Sequence, residues 1–337
     1  MTVYFTYILP VHTLDSPVLC LGILLTKYRF VPLKIWILAI LSLFITSCAP
    51  QNKVTPLTVV IGSWYGFYPL HFAAENGIDR EHGLRLKVIE PTNVSNLRRA
   101  YLSEQADVAA TSMVEFTNAT SLTNKALKVL VITDYSNGGD VVIAQKHIKN
   151  IEQLNKSRIA VPSGGIGEFV LSLIFDTPMP TTKFKQQVMA ETECAKAFEE
   201  NAIDACVTYP PISTFLLRNS NLHQVYDSSM HPGRIFDLLW AKEHVSSLDA
   251  EKLRNTWFDT IALIERNPQA YIEFLSNITD VETKLVEKSM LGIQLVNRER
   301  FNQLIEKADS LSSDLINACK ITKSKHCHQF GNSFSGF

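Results

Sequence analysis

Twelve residues in six short segments have the types and spacing to hold a small ligand: Ser63, Trp64, Tyr65, Ser112, Met113, Ser136, Asn137, Gly164, Gly165, Thr208, Tyr209 and Asp237. Most follow an apolar run of strand length. Val59-Val60-Ile61 precedes Gly62 and Ser63, Val108-Ala109-Ala110 precedes Ser112, and Ala205-Cys206-Val207 precedes Thr208. In α/β proteins, ligands sit in the loops at the carboxyl ends of strands. The chain has no Gly-x-Ser-x-Gly elbow and no His-Glu-x-x-His pair. His71 falls on a predicted helix and reads as structural. These segments therefore read as a binding cleft that needs no cofactor and no metal, not as an active site.

Two ligand chemistries compete for that cleft. Ser112, Ser163-Gly164-Gly165 and Tyr209-Pro210 stand at predicted helix starts. Free N–H groups and the positive dipole end can hold an anion there without a basic side chain. A sulfonate or carboxylate would suit them, with Ser136, Asn137 and Thr208 as further donors. Against this, Glu115 and Glu168 occupy first helical turns, and Asp134 and Asp237 lie near strand ends. None of the loops carries Arg or Lys, and a small inorganic anion needs stronger compensation than dipoles provide. Trp64, Tyr65, Tyr135 and Tyr209 offer flat faces for a heteroaromatic or cationic ligand. The balance favours an organic ligand, of pyrimidine or sulfonate type, over nitrate. Trp64 is expected to face the cleft and add little to the core, with Phe67 and Tyr68 in the core. Gly165 and Gly167 are expected to serve turn geometry.

Alternating strands and helices must position these segments. After the opening strand, Leu70, Phe72, Ala73 and Ala74 make a helix closed at Asn76-Gly77. Strands are predicted over Leu84–Ile89, Asp107–Ala110, Leu127–Ile132, Val141–Ala144, Arg158–Val161, Ala205–Thr208 and Ile235–Trp240. Helices are predicted over Asn93–Ser103, from Ser112 with capping-box spacing to Glu115, over Glu168–Phe175, and over Glu193–Asn201. After Ser247 the pattern is helical almost to Cys319, with Asn267-Pro268 and Thr279-Asp280 as helix starts. Such alternation predicts mostly parallel sheets.

The 337 residues, 46% hydrophobic and 19% charged with a net charge of -1, suit two globular domains. The near-neutral balance excludes nucleic acid as a partner. The first residues are of another kind. Lys27, Arg29 and Lys34 precede the apolar run Ile35–Phe44 and then Ile45-Thr46-Ser47-Cys48. Basic, apolar and small residues in that order make an export signal. The ending resembles a bacterial lipobox, in which Cys48 becomes the lipidated first residue. Residues 1–26 add a second apolar stretch, Val18–Leu25, ahead of the basic residues. Either translation starts near Leu25 or Val31, or the segment is an extended or two-span anchor.

Three segments carry a family resemblance. Ile61 to Leu70 is similar to the opening of periplasmic solute-binding proteins of the nitrate/sulfonate/taurine and thiamine-precursor (pyrimidine) transport families. Asp134 to Asp140 resembles their crossover segment, and Ala202 to Pro211 their second strand and helix. The resemblance implies an α/β, two-lobed periplasmic binding protein fold of type II, each lobe a mostly parallel sheet flanked by helices, with a two-stranded hinge. Lobe 1 would span 57–140 and 233–320 and lobe 2 141–232. Residues 1–47 would be the signal region, 48–56 a lipidated tether and 321–337 a flexible tail. It implies a monomer, lipid-anchored on the periplasmic side of a bacterial membrane, that captures a small molecule for an ABC permease and its ATPase. The other readings are a sensor feeding a membrane signalling partner and a pyrimidine-synthesis-like enzyme, whose cysteine-rich motif this chain lacks. Cys194 and Cys206 are read as buried free thiols ahead of a disulfide. Cys319 and Cys327 are a second possible pair, and with His326 and His328 they make at best a weak metal cluster.

Overall fold

The computed structural model describes residues 54–123, 125–177, 183–321 and 327. The export signal, Cys48 and most of the C-terminal tail lie outside the described residues.

The chain opens with β1 (Thr55–Ile61), a 3-10 turn over Tyr65–Phe67, α1 (Pro69–Asn76) and α2 (Ile78–Glu81). Next come β2 (Leu84–Ile89), α3 (Val94–Leu102), β3 (Val108–Ser112), α4 (Met113–Leu122) and β4 (Leu127–Ser136). A second group holds β5 (Val141–Gln145), β6 (Arg158–Ala160), α5 (Ile166–Ile174), β7 (Lys185–Gln187), α6 (Cys194–Glu199), β8 (Ala205–Thr208), α7 (Ile212–Leu216) and β9 (Leu222–Asp227). The chain then returns through β10 (Phe236–Lys242), α8 (Ser247–Arg266), α9 (Pro268–Thr279), α10 (Thr283–Met290), β11 (Ile293–Leu295), α11 (Arg298–Ile305) and α12 (Ala308–Ile321).

These strands form two sheets. One has the order β11-β4-β10-β3-β1-β2, the other β7-β6-β8-β5-β9. The chain passes between them twice, at Ser136–Val141 and at Asp227–Phe236. Both sheets are mixed, where the alternation predicts mostly parallel pairing. β1 pairs in parallel with β2 and β3, but β10 is antiparallel to both β3 and β4. In the second sheet β6 is parallel to β7 and β8, while β5 is antiparallel to β8 and β9. β11, antiparallel to β4 at the sheet edge, is also reversed, but follows helices α8 to α10; the other two reversed strands, β5 and β10, are the first to enter each sheet after a crossing. No helix carries the chain back along the sheet before them, so the crossover that forces parallel pairing is missing.

Local signals hold at most boundaries. The Ser112 hydroxyl accepts from the Glu115 amide at 3.3 Å and starts α4. Asn267 accepts from the Ala270 amide and Pro268 sits in the first turn of α9. Three readings change. Thr279-Asp280 ends a helix: Asp280 adopts φ 53° and caps α9. β11 interrupts the C-terminal helices, since its three residues are too few to register against a helical period. Gly167 lies inside α5 rather than in a turn. A Cβ there would stand 2.4 Å from Val161 Cγ2, so the missing side chain lets the helix pack closely on the second sheet.

Both cysteine pairs are disulfides. Cys194 at the start of α6 bonds Cys206 of β8 across 6.3 Å between Cα atoms, and Cys319 bonds Cys327. This corrects the free-thiol reading. A helix start and a strand separated by 12 residues are brought to one level by packing, which spacing alone cannot show.

Candidate ligand-binding cleft

A cleft lies between elements of the two sheets. From the first sheet it takes Gly62, Ser63, Trp64 and Phe67 after β1, Thr111, Ser112 and Glu115 at the β3–α4 junction, and Asp237 of β10. From the second group it takes Pro162 and Gly165 ahead of α5, Ile166 at its start, Glu191 before α6, and Tyr209 after β8, with Asp140 at the crossing.

Of the expected site residues, Ser63, Trp64, Ser112, Gly165, Tyr209 and Asp237 are on this lining. Six are not, and their surroundings show why. Tyr65 is fully buried, and its carbonyl accepts from Tyr271 Oη at 3.0 Å. Met113 is buried in the core. Ser136 Oγ lies 2.8 Å from Ser228 Oγ and accepts from the Asp140 amide, tying the two crossings together. The Asn137 amide donates to Gly292 O. The Gly164 carbonyl accepts from Arg98 Nη2 at 2.8 Å and Asn118 Nδ2 at 2.7 Å. Thr208 is buried, and its hydroxyl has no partner among the described residues.

Trp64 is both cleft wall and core. Its side chain is buried, Nε1 donates to Asp134 Oδ1 at 2.8 Å, and its ring meets Tyr209 edge-on at 5.8 Å. Two glycines make room for the indole. A Cβ on Gly66 would lie 2.4 Å from Trp64 Nε1, and one on Gly139 2.4 Å from Cη2. An aromatic residue between glycines reads as exposed only until the second glycine arrives from a segment distant in sequence.

The electrostatics are carried by carboxyls. Glu115, Asp140, Glu191 and Asp237 line the cleft, and no Lys, Arg or His does. Each has a distinct state. Arg98 of α3 pairs with Glu115 through two bonds, at 2.9 and 2.6 Å, and Tyr101 Oη adds a third at 2.9 Å. Arg98 also donates to Ser163 O and Gly164 O, so one guanidinium spans both groups of elements. Asp237 and Asp134 share a hydrogen bond, which requires a proton. Burial lifts Asp134 to about 7, opposed by the hydrogen bonds it accepts from Trp64 and from Thr133 Oγ1 at 2.9 Å, so it is the first of the pair to ionise. Burial, then the charges of Asp134 and Asp140, push Asp237 well above the carboxylate range, and it holds the proton.

Asp140 and Glu191 remain. Burial lifts Asp140 to about 6, opposed by the Ser136 hydrogen bond. Burial lifts Glu191 to about 7, opposed by its own amide and assisted by the nearby Glu115 and Asp140 charges. No basic side chain forms an ion pair with either among the described residues. Sequence reading missed Arg98 and Glu191. Arg98 lies on a helix outside the loops, and Glu191 in a short 3-10 turn with no period to mark it. Capping explained Glu115 only in part: its amide is capped by Ser112, but its carboxylate turns to Arg98.

No protein of curated function matches the chain. Solved structures of similar fold include three from distant sources. The alkanesulfonate-binding protein SsuA of Xanthomonas axonopodis pv. citri is 13% identical at a TM-score of 0.60, covering 77% of this chain and 94% of its own. The Candida albicans CA3427 gene product, described as having the generic periplasmic binding protein fold, is 16% identical at 0.63, covering 82% and 95%. The nitrate-binding protein NrtA of Synechocystis PCC 6803 is 11% identical at 0.59, covering 83% and 88%. At such identities the likeness shows the fold: two sheets, two crossings and a cleft between them, as in periplasmic binding proteins. The sequence profile described as NMT1/THI5 like matches residues 64–238, just over half of the length. The chain belongs to the NMT1/THI5-like family.

Proposed function

We propose that the protein is the lipid-anchored, extracytoplasmic solute-binding component of an ABC-type importer. It captures a small, flat organic ligand of pyrimidine type between two lobes and delivers it to a permease driven by an ATPase. The observation that carries this reading is the cleft itself, walled by Trp64 and Tyr209 and fed by loops from both sheets. The lobes correspond to 57–140 with 233–320, and to 141–232. Sulfonate- and nitrate-binding proteins share the fold, and the role carried to this chain is theirs, capture rather than catalysis. Their anionic ligands are not carried over. Four carboxyls and no basic side chain in the lining favour a pyrimidine-type ligand over a sulfonate.

The hinge is assigned to the crossings at Asp140 and Gly233. Gly233 adopts φ 74°, with nothing within 4 Å of a built Cβ, so it has room to turn. A ligand that touches both lobes favours the closed form. A thermal-shift series of aminopyrimidines and alkanesulfonates tests this. An aminopyrimidine at 100 times its Kd should stabilise the protein by about 2.7 kcal/mol, and scattering should show a smaller radius of gyration. A response to the sulfonates alone would overturn the ligand class. The anchor is tested separately: fatty-acid labelling should mark the wild type and not Cys48→Ser, and equal labelling would remove the lipoprotein reading.

A further inference from the structure

Resting on the cleft reading above, we propose that the cleft selects a ligand carrying one positive charge, held between the carboxylates of Glu191 and Asp140. Of the carboxyl groups in the lining, these two have neither an ion pair nor a shared proton among the described residues. Glu115 is matched by Arg98, and Asp237 holds a proton against Asp134. Glu191 has only 6% of its surface exposed, and its side chain bonds to nothing beyond its own amide among the described residues. A buried carboxylate left this way is costly unless a partner arrives. Glu191 also lines a smaller cavity next to the cleft, shared with Ser63 and Tyr209.

The walls agree with this charge. Trp64 and Tyr209 present aromatic groups beside the two carboxylates, and such rings attract cations as well as flat molecules. Asp140 and Glu191 come from the crossing and from the second group of elements. A cation between them would therefore engage the hinge and one lobe at once. The charged and titratable groups around Glu191 are Glu115, Asp140, Arg98 and Tyr209. Around Asp140 they are Asp134, Asp237, Tyr226, Tyr209 and Glu191. Protons compete with a cation for both carboxylates, so cation affinity should rise with pH through the range where they ionise, about 6 to about 7.

Three probes of one shape separate the charges: benzamidinium, benzamide and benzoate, titrated by calorimetry against the full-length protein. The expected order is benzamidinium tightest and benzoate weakest. The benzamidinium affinity should rise from acid to neutral pH while that of benzamide stays level. Glu191→Gln, which keeps the shape and removes a buried charge, should weaken benzamidinium about 10- to 100-fold and benzamide by less than about threefold. If benzoate or benzamide binds as tightly as benzamidinium, the charge assignment is wrong and the cleft reading stands. If Glu191→Gln leaves benzamidinium unchanged, Glu191 does not hold the cation, and the assignment fails while the cleft reading stands. No response to any of the three up to their solubility limits would also overturn the assignment.

Discussion

Replacing Arg98 by alanine should lower the unfolding free energy by about 3–5 kcal/mol, because it leaves a buried carboxylate without its partner. The Glu115 side chain is 6% exposed, and Arg98 meets it through two parallel bonds. Burial alone would lower the Arg98 pKa, but Glu115's hydrogen bonds and charge outweigh it and hold the guanidinium charged. Tyr101 Oη would remain as the one side-chain donor to Glu115. The carboxylate would have to be solvated by movement or take up a proton, and either costs free energy. Denaturant unfolding of Arg98→Ala, Glu115→Gln and the double variant measures the coupling. The double variant should be less destabilised than the sum, since removing both charges leaves none unpaired. A loss below about 1 kcal/mol in Arg98→Ala would place the pair among exposed, screened ion pairs.

The same variant reports on lobe contact. Arg98 donates to Ser163 O at 3.1 Å and to Gly164 O at 2.8 Å, and Asn118 reaches the same Gly164 carbonyl. These bonds join α3 and α4 to the loop ahead of α5. Without them the unliganded protein should favour the open form, with a larger radius of gyration. Arg98→Lys keeps a charge near Glu115 but cannot supply the planar fork of donors. It should recover part of the stability and little of the closure.

How far the sequence alone reveals this arrangement depends on the range of each interaction. β1, the aromatic segment and α1 were legible because an apolar run, a proline and a glycine act within a few residues. The Ser112–Glu115 cap was legible for the same reason. The first crossing was marked by the glycines and polar residues of Ser136–Asp140. Arg98 and Glu115 lie 17 residues apart on different helices, and no local pattern links them. Asp134 was named only as an acid near a strand end, and Asp237 as that and as a ligand contact. Their shared proton exists because β4 and β10 are neighbours, a pairing made by the second crossing. Strand direction was misread at the same point, since alternation cannot show which strand enters a sheet without a helix before it.

Trp64 shows how a misreading at this range changes an expected result. Read as an exposed face, its removal should leave the unliganded melting temperature unchanged. In the structure its ring is 6% exposed, fills the space left by Gly66 and Gly139, and donates to Asp134. Trp64→Ala should therefore cost about 3–5 kcal/mol of stability through the cavity it leaves. In a chain of this size that lowers the melting temperature by roughly 5–15 °C. Trp64→Phe separates packing from hydrogen bonding. It keeps most of the ring volume and removes the N–H to Asp134, and should cost about 1–3 kcal/mol. Binding by the folded fraction should also weaken in Trp64→Ala, by about 1–3 kcal/mol for a flat ligand, since the aromatic wall beside Tyr209 is lost. Calorimetry on protein held well below its melting temperature keeps the two effects apart. If Trp64→Ala melts like the wild type and binds as tightly, the indole is neither core nor wall, and the cleft must lie away from the loop after β1.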